Sequence, residues 1–271
     1  MAINYIFSDI DGTLILNREP LIEEFIKEVK EVSKQGAYFT FASGRLPYMI
    51  QPLLEQVGLP NQLYVACNGA LVKQGNKTVY QKKFSLQILK EIVEKALNSN
   101  MTVLYAIDEL EYVMAENSAT VRKRTERGTY HPLRKPTEEE WLTLDIVKLN
   151  ILQDDSSKDM SIFEVDFKDI EKDILITRYG SYGLELVSKG VNKLKGIERV
   201  LKELNGSLEE TAAIGDNEND FEMIAAVSFG CAVENATIEL KNIADFQAKG
   251  IAIQGAASAL KKIKEINREE L

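Results

Sequence analysis

Tyr5-Ile6-Phe7-Ser8-Asp9-Ile10-Asp11-Gly12-Thr13 is the stretch that decides how this chain folds. Tyr5-Ile6-Phe7 is a short apolar run that reads as a buried strand, and two acids follow directly on its carboxyl end. Open α/β sheets bind their ligands at that end of their strands. If strand alternation persists through the segment, residues two apart point the same way, so Asp9 and Asp11 converge on one site. Neighbouring carboxylates repel unless a cation joins them, and a hard divalent ion such as Mg2+, which takes oxygen ligands, meets that need. The competing reading is a plain turn, because Asp, Gly and Thr are turn or capping residues. Against it, average residue usage makes Asp-x-Asp-Gly-Thr a chance event on the order of 10⁻³ per chain of this length.

Outward from this stretch, strand and helix signals alternate. Leu21, Phe25, Val29 and Val32 recur at three- or four-residue spacing as one helix face. Residues 37–42 resume the sheet, 46–57 read as a helix ended by Gly58 and Pro60, and 63–66 as a further strand. From Ala70 to Phe84 two β-type runs flank a Gly75-Asn76 turn, the pattern of a hairpin. Between about 85 and 188 the order becomes helix, strand, strand, helix, strand, helix, strand, with Thr137-Glu138-Glu139-Glu140 as a capping box ahead of Trp141. The β-α alternation then returns, with a helix near 192–204, a strand at 211–214, a helix from about 218, a strand at 228–233 and a closing helix. The fold class is therefore α/β, with a Rossmann-like parallel-sheet core built from residues 1–81 and 189–271. Residues 82–188 form an inserted α+β domain.

Composition narrows the function. With 271 residues, 45% hydrophobic and 28% charged, the chain has the makeup of an ordinary globular protein rather than a disordered one. Its net charge of -9 disfavours a broad grip on nucleic acid or an anionic membrane surface. Cys67 and Cys231 are too far apart in sequence for a thiolate metal motif and read as small core residues. No run approaches the roughly 20 apolar residues of a membrane span, and the N-terminus lacks a signal-peptide pattern, so the expected location is cytoplasmic.

Asp9-Ile10-Asp11-Gly12-Thr13 matches the first motif of the haloacid dehalogenase (HAD) superfamily, and three further segments match in order. Phe41-Ala42-Ser43-Gly44-Arg45 resembles the second motif, Gly190-Val191-Asn192-Lys193 the third, and Gly215-Asp216-Asn217-Glu218-Asn219-Asp220 the fourth. The resemblance covers essentially the whole chain. It implies a Mg2+-dependent phosphatase in which Asp9 is the nucleophile, forming an aspartyl-phosphate, and Asp11 the general acid and base. Ser43 and Lys193 would stabilise the transferring phosphoryl group. The metal would be held by Asp9, the backbone carbonyl of Asp11 and Asp216, with Asp220 acting through water or by orienting Lys193. Gly12, Gly44, Arg45, Asn68 and Asn219 would line the phosphate or substrate.

Each assignment has a plainer rival. Ser43 also reads as a strand-end turn residue, Asp216 and Asp220 as helix N-terminal acids favoured by the dipole, and Asn68 and Asn235 as turn residues. Arg45 could bind substrate or cap its own helix. Members of the family commonly place Gly directly after the lysine, whereas here Leu194 intervenes before Lys195-Gly196, which leaves Lys195 as the rival of Lys193. His131 reads as a surface or capping residue, and Arg122, Arg124 and Arg127 as a solvated basic run.

The insert resembles the class IIB cap of Cof-type phosphatases, a group acting on sugar phosphates, nucleotides or phosphorylated cofactors. Such a cap excludes water and contacts the leaving group. The implied partner is a small phosphomonoester, with no nucleic acid polymer and no membrane, and the assembly a monomer or homodimer. Two alternatives remain: a phosphohexomutase-like phosphotransferase, and a catalytically weak ligand-binding regulator.

Overall fold

The computed structural model of the chain describes residues 2–16, 20–117, 120–121, 132–153, 163–179 and 183–269. His131, Arg122, Arg124 and Arg127 lie outside the described residues. The first third comprises β1 (Tyr5–Ser8), α1 (Glu23–Lys34), β2 (Tyr38–Phe41), α2 (Pro47–Gln56), β3 (Leu63–Ala66), β4 (Leu71–Gln74) and β5 (Lys77–Gln81). There follow β6 (Phe84–Ser85), α3 (Lys90–Asn98), β7 (Thr102–Ile107), β8 (Leu110–Val113), α4 (Glu138–Thr143), β9 (Asp145–Ile146) and β10 (Lys148–Leu152). Next are α5 (Glu164–Ile170), β11 (Ile174–Tyr179) and β12 (Gly183–Ser188). The chain ends with α6 (Lys193–Leu204), β13 (Thr211–Gly215), α7 (Phe221–Ala226), β14 (Phe229–Ala232), α8 (Ile238–Ile243), β15 (Phe246–Gln247) and α9 (Ile253–Glu269).

These elements gather into two compact units, Met1–Tyr80 with Asn192–Leu271, and Gln81–Val191. The first is an α/β layer structure around a five-stranded sheet in the order β15-β14-β13-β1-β2. Every pairing in it is parallel. Ile6 and Phe7 are fully buried, as a central strand flanked on both sides requires. Helix α1 presents Phe25, Val29 and Val32 to this sheet, and Phe25 meets Phe39 edge-on with ring centroids 5.9 Å apart. Because β1 lies between β13 and β2, the carboxyl ends of the three strands lie side by side.

Strand β3 departs from the simple β-α series. It pairs antiparallel with β4 in a separate β3-β4-β5 sheet and joins the main sheet through the parallel Ala42–Val65 bridge. The reason is the short connection: residues 67–70 make a tight turn straight back into β4, too short for the crossover that a parallel neighbour needs.

The second unit has a five-stranded antiparallel sheet in the order β11-β12-β10-β7-β8. One face packs Val103, Tyr105, Leu149, Ile151, Leu184 and Leu186 into a core with Trp141 and Phe163. The capping box at α4 is present: Thr137 Oγ1 accepts from Glu140 N at 3.1 Å, and Thr137 N donates to Glu140 Oε2 at 2.9 Å. Sequence periodicity read one strand after α5, whereas β11 and β12 form two, and α8 and β15 escaped it because both are very short. Among the described residues no helix is long and apolar enough to cross a membrane.

Candidate active site

Asp9 leaves β1 immediately after its last residue, with its backbone N–H still donating to the Ile214 carbonyl of β13 at 2.9 Å. Asp216 follows directly on β13, so parallel pairing alone brings two acids from opposite chain ends together. Asp220 joins them one turn later. Asp9, Asp216 and Asp220 each offer a carboxylate oxygen, all within 4.8 Å of one another, a group that could hold a metal ion.

Lys193, the first residue of α6, enters this acidic cluster. Its Nζ lies 2.6 Å from Asp9 Oδ1 and 2.6 Å from Asp220 Oδ1, and its side chain is fully buried. Asn192 caps the helix, its side chain accepting from Lys195 N at 2.9 Å. Lys195 points the other way and pairs with Glu198 on the surface. Of the two lysines, only Lys193 faces the carboxylates.

Asp220 is held on both of its oxygens. Oδ1 accepts from Lys193, and Oδ2 from the backbone N–H groups of Asp216 at 2.9 Å and Asn217 at 3.1 Å. Asp216 Oδ1 accepts the Thr13 hydroxyl at 2.7 Å. Thr13 is a positioning residue that sequence reasoning passed over, although it stands in the first motif. Gly12 explains why this motif needs glycine: its φ is +89°, and a Cβ there would lie 2.2 Å from Asp216 Oδ2. The Gly12 carbonyl accepts from Asn235 Nδ2 at 2.8 Å, which ties the end of β14 to the same loop.

Asp11 corrects the expectation of convergence. Strand geometry ends at Ser8, and Asp11 instead bridges to Ile15 in a tight turn. Its carboxylate turns outward, 61% exposed, into a bidentate pair with Arg45: Nε donates to Oδ2 at 2.9 Å and Nη2 to Oδ1 at 2.7 Å. Arg45 thus neither caps its helix nor lies free for a ligand. Ser43 is buried at the end of β2, its Oγ accepting from Arg45 N at 3.2 Å. Asn68 is held at φ +51° in the turn after β3. Its Oδ1 accepts from Asn219 Nδ2 at 3.2 Å, and its amide lies against Gly44, where a Cβ would come within 3.1 Å of Nδ2.

The electrostatics fit a site built for a cation. Burial pushes the Asp9 carboxyl well above the usual carboxylate range; Lys193 opposes this, while Asp220 and Asp216 reinforce it. Asp216 is raised to about 6 by burial and by Asp220, against the Thr13 hydrogen bond and Lys193. For Lys193 burial acts downward, but the attraction of Asp220 and Asp9 outweighs it, so the ammonium is held charged.

The sequence model of the haloacid dehalogenase-like hydrolases matches residues 6–260. YkrA of Bacillus subtilis is 28% identical over 260 residues, covering 95% of this chain and 96% of that protein. The 5-amino-6-(5-phospho-D-ribitylamino)uracil phosphatase YcsE of Bacillus subtilis is 25% identical, covering 96% of this chain and 95% of that one. Among solved structures, TM0651 from Thermotoga maritima superposes with a TM-score of 0.81 at 22% identity, covering 96% of this chain and 97% of that one. Another, described as the HAD subclass IIB sugar phosphatase BT4131, gives 0.78 at 20% identity over 96% of this chain and 98% of that one. The match leaves five residues before it and eleven after it, and all the strand ends that gather the buried acids fall inside it: this chain belongs to the haloacid dehalogenase-like hydrolase family.

Proposed function

We propose that this hydrolase is a Mg2+-dependent phosphatase acting on a small phosphomonoester through a phospho-Asp9 intermediate. The observation that carries the reading is the buried Lys193 ammonium between Asp9 and Asp220, with Asp216 beside them. The donor set suits a hard cation: every candidate ligand atom is a carboxylate oxygen, and the acids repel one another without one. Asp9 and Asp216 are the side chains fitted to hold it, because both oxygens of Asp220 are already engaged. When bound, the ion supplies charge stabilisation to the phosphoryl oxygens and screens Asp9 from the anionic substrate.

The chain's own residues do the rest. An oxygen of Asp9 attacks phosphorus, the P–O bond to the organic group breaks, and the departing oxygen takes a proton from Asp11. Water then attacks phospho-Asp9, giving its proton to Asp11 and releasing phosphate. To do this Asp11 must exchange its pair with Arg45 for the leaving oxygen, so Arg45 acts as its resting partner. Lys193 neutralises the phosphoryl group, Asp220 fixes Lys193, and Ser43, Asn68 and Asn219 offer hydrogen bonds to its oxygens. The inserted Gln81–Val191 unit corresponds to the class IIB cap that the sequence resemblance implies. The activity named for YcsE supports phosphate esters of small molecules as the substrate class.

The test is phosphate release with and without Mg2+ across sugar phosphates, nucleotides, pyridoxal phosphate and flavin mononucleotide. Release should require the metal and vanish in Asp9→Asn. Full turnover by that variant, in protein free of other phosphatases, sinks the mechanism.

A further inference from the structure

The two partners of the Asp11–Arg45 pair are not held alike. The Arg45 side chain is 15% exposed, whereas that of Asp11 is 61% exposed. Arg45 is also pinned through its backbone: its N–H donates to Ser43 Oγ at 3.2 Å, and its carbonyl accepts from Cys67 N at 3.0 Å. The next residue, Leu46, is buried in the core. Nε and Nη2 therefore project from a fixed base as a preset fork. Asp11 sits in the turn where Gly12 N donates to the Ile15 carbonyl at 3.0 Å, and its short side chain leaves the pair by rotation about two bonds. Of the two, the acid moves and the guanidinium stays.

That motion has to happen. Arg45 occupies both oxygens of Asp11, so neither reaches a leaving oxygen until the pair opens. When the organic group is neutral, opening strips a largely covered guanidinium of its carboxylate, and among the described residues no other acid pairs with it. A carboxylate on the substrate changes the balance. It takes over Nε and Nη2 in the geometry that Asp11 itself displays, so one carboxylate is exchanged for another and no charge is left unpaired. Lys193 cannot serve this second anion, because it is enclosed between Asp9 and Asp220.

We propose that Arg45 is a specificity-determining residue that selects phosphomonoesters carrying a carboxylate close to the ester, and that this carboxylate displaces Asp11 towards the leaving oxygen. The inference rests on the phosphatase reading and narrows its substrate class to phosphorylated hydroxy acids. The spacing follows from the contacts. Asp11 must come within one hydrogen bond of the leaving oxygen, and Arg45 lies one hydrogen bond beyond Asp11, so the fork is about 6 Å from the ester oxygen. A carboxylate one or two carbons from that oxygen spans the gap. Both residues, and the acids beside them, belong to the first unit.

The experiment compares kcat/KM of the whole enzyme for 3-phosphoglycerate and for racemic glycerol 3-phosphate, in which a hydroxymethyl group replaces the carboxylate. Wild type should favour the glycerate ester about tenfold or more, and Arg45→Met should abolish the preference. Arg45→Lys, which keeps the charge without the fork, should retain only part of it. Far-UV circular dichroism reports whether each variant is folded. Equal use of the two esters by wild type, or an undiminished preference in folded Arg45→Met, overturns the proposal. If wild type releases phosphate from neither ester, the wider substrate panel decides the phosphatase reading. The Arg45 subsite is then judged separately, by calorimetry of the same two esters on Asp9→Asn with and without Arg45→Met. Tighter binding of the glycerate ester that disappears with Arg45→Met sustains the proposal; equal binding, or none, refutes it.

Discussion

Asp216→Asn should make the metal-free protein more stable while destroying its metal site. In the folded chain the Asp216 carboxyl titrates at about 6, against 3.8 in its ordinary state, because it is buried beside Asp220. Each pKa unit corresponds to about 1.4 kcal/mol, so holding it ionised at pH 7.5 costs the folded, metal-free protein about 3 kcal/mol. Asn keeps an oxygen for the Thr13 hydroxyl and has no charge to desolvate. The expected gain is about 2 kcal/mol at pH 7.5 in EDTA, once a deduction is made for the new NH2 group.

The sign fixes the pH dependence. A carboxyl raised on folding binds more protons in the native state, so wild-type stability recovers as pH falls through 6 towards 4, and the advantage of the variant closes over that interval. With Mg2+ at a hundred times its dissociation constant, wild type alone should regain about 2.7 kcal/mol. The assay is urea unfolding followed by far-UV circular dichroism, with hydrogen exchange of the β13 amides to report the first unit. Fluorescence alone would mislead, because the single tryptophan, Trp141, lies in the second unit. A variant no more stable than wild type in EDTA at pH 7.5, or an advantage that persists unchanged at pH 4.5, refutes the reasoning.

Gly12→Ala should reduce kcat about a hundredfold or more and weaken Mg2+ binding, since its Cβ would displace the Asp216 carboxylate from a backbone held at positive φ; a wild-type kcat and metal titration would contradict this. Thr137→Ala should cost about 1 kcal/mol in the unfolding of the second unit, read by Trp141 fluorescence in urea, because the Glu140 N–H at the start of α4 loses the hydroxyl oxygen that accepts it. Thr137→Ser should recover most of the loss, and equal effects from the two substitutions would show that the cap is not the cause.

The local pieces were legible along the chain: a buried strand running into Asp9, the capping box at Thr137, the amphipathic face of α1, and four motifs in the order of a known family. Periodicity and turn chemistry are short-range properties, so they can be read along one stretch of chain. Which of those residues meet was settled by the packing of the folded chain. Asp216 reaches Asp9 because β13 pairs with β1 in parallel, and Lys193 rather than Lys195 faces the acids because the start of α6 is capped in one rotational setting. Asp11, two residues from Asp9, turned away to Arg45 once the strand had ended, where alternation had predicted convergence. The β3-β4-β5 sheet and the ladder joining β11 to β12 were likewise set by pairing rather than pattern. The physical reason is common to all of these. A strand's partner, a helix's rotation and a carboxylate's neighbour are fixed by packing between segments remote in sequence, and that information is in no single window of residues.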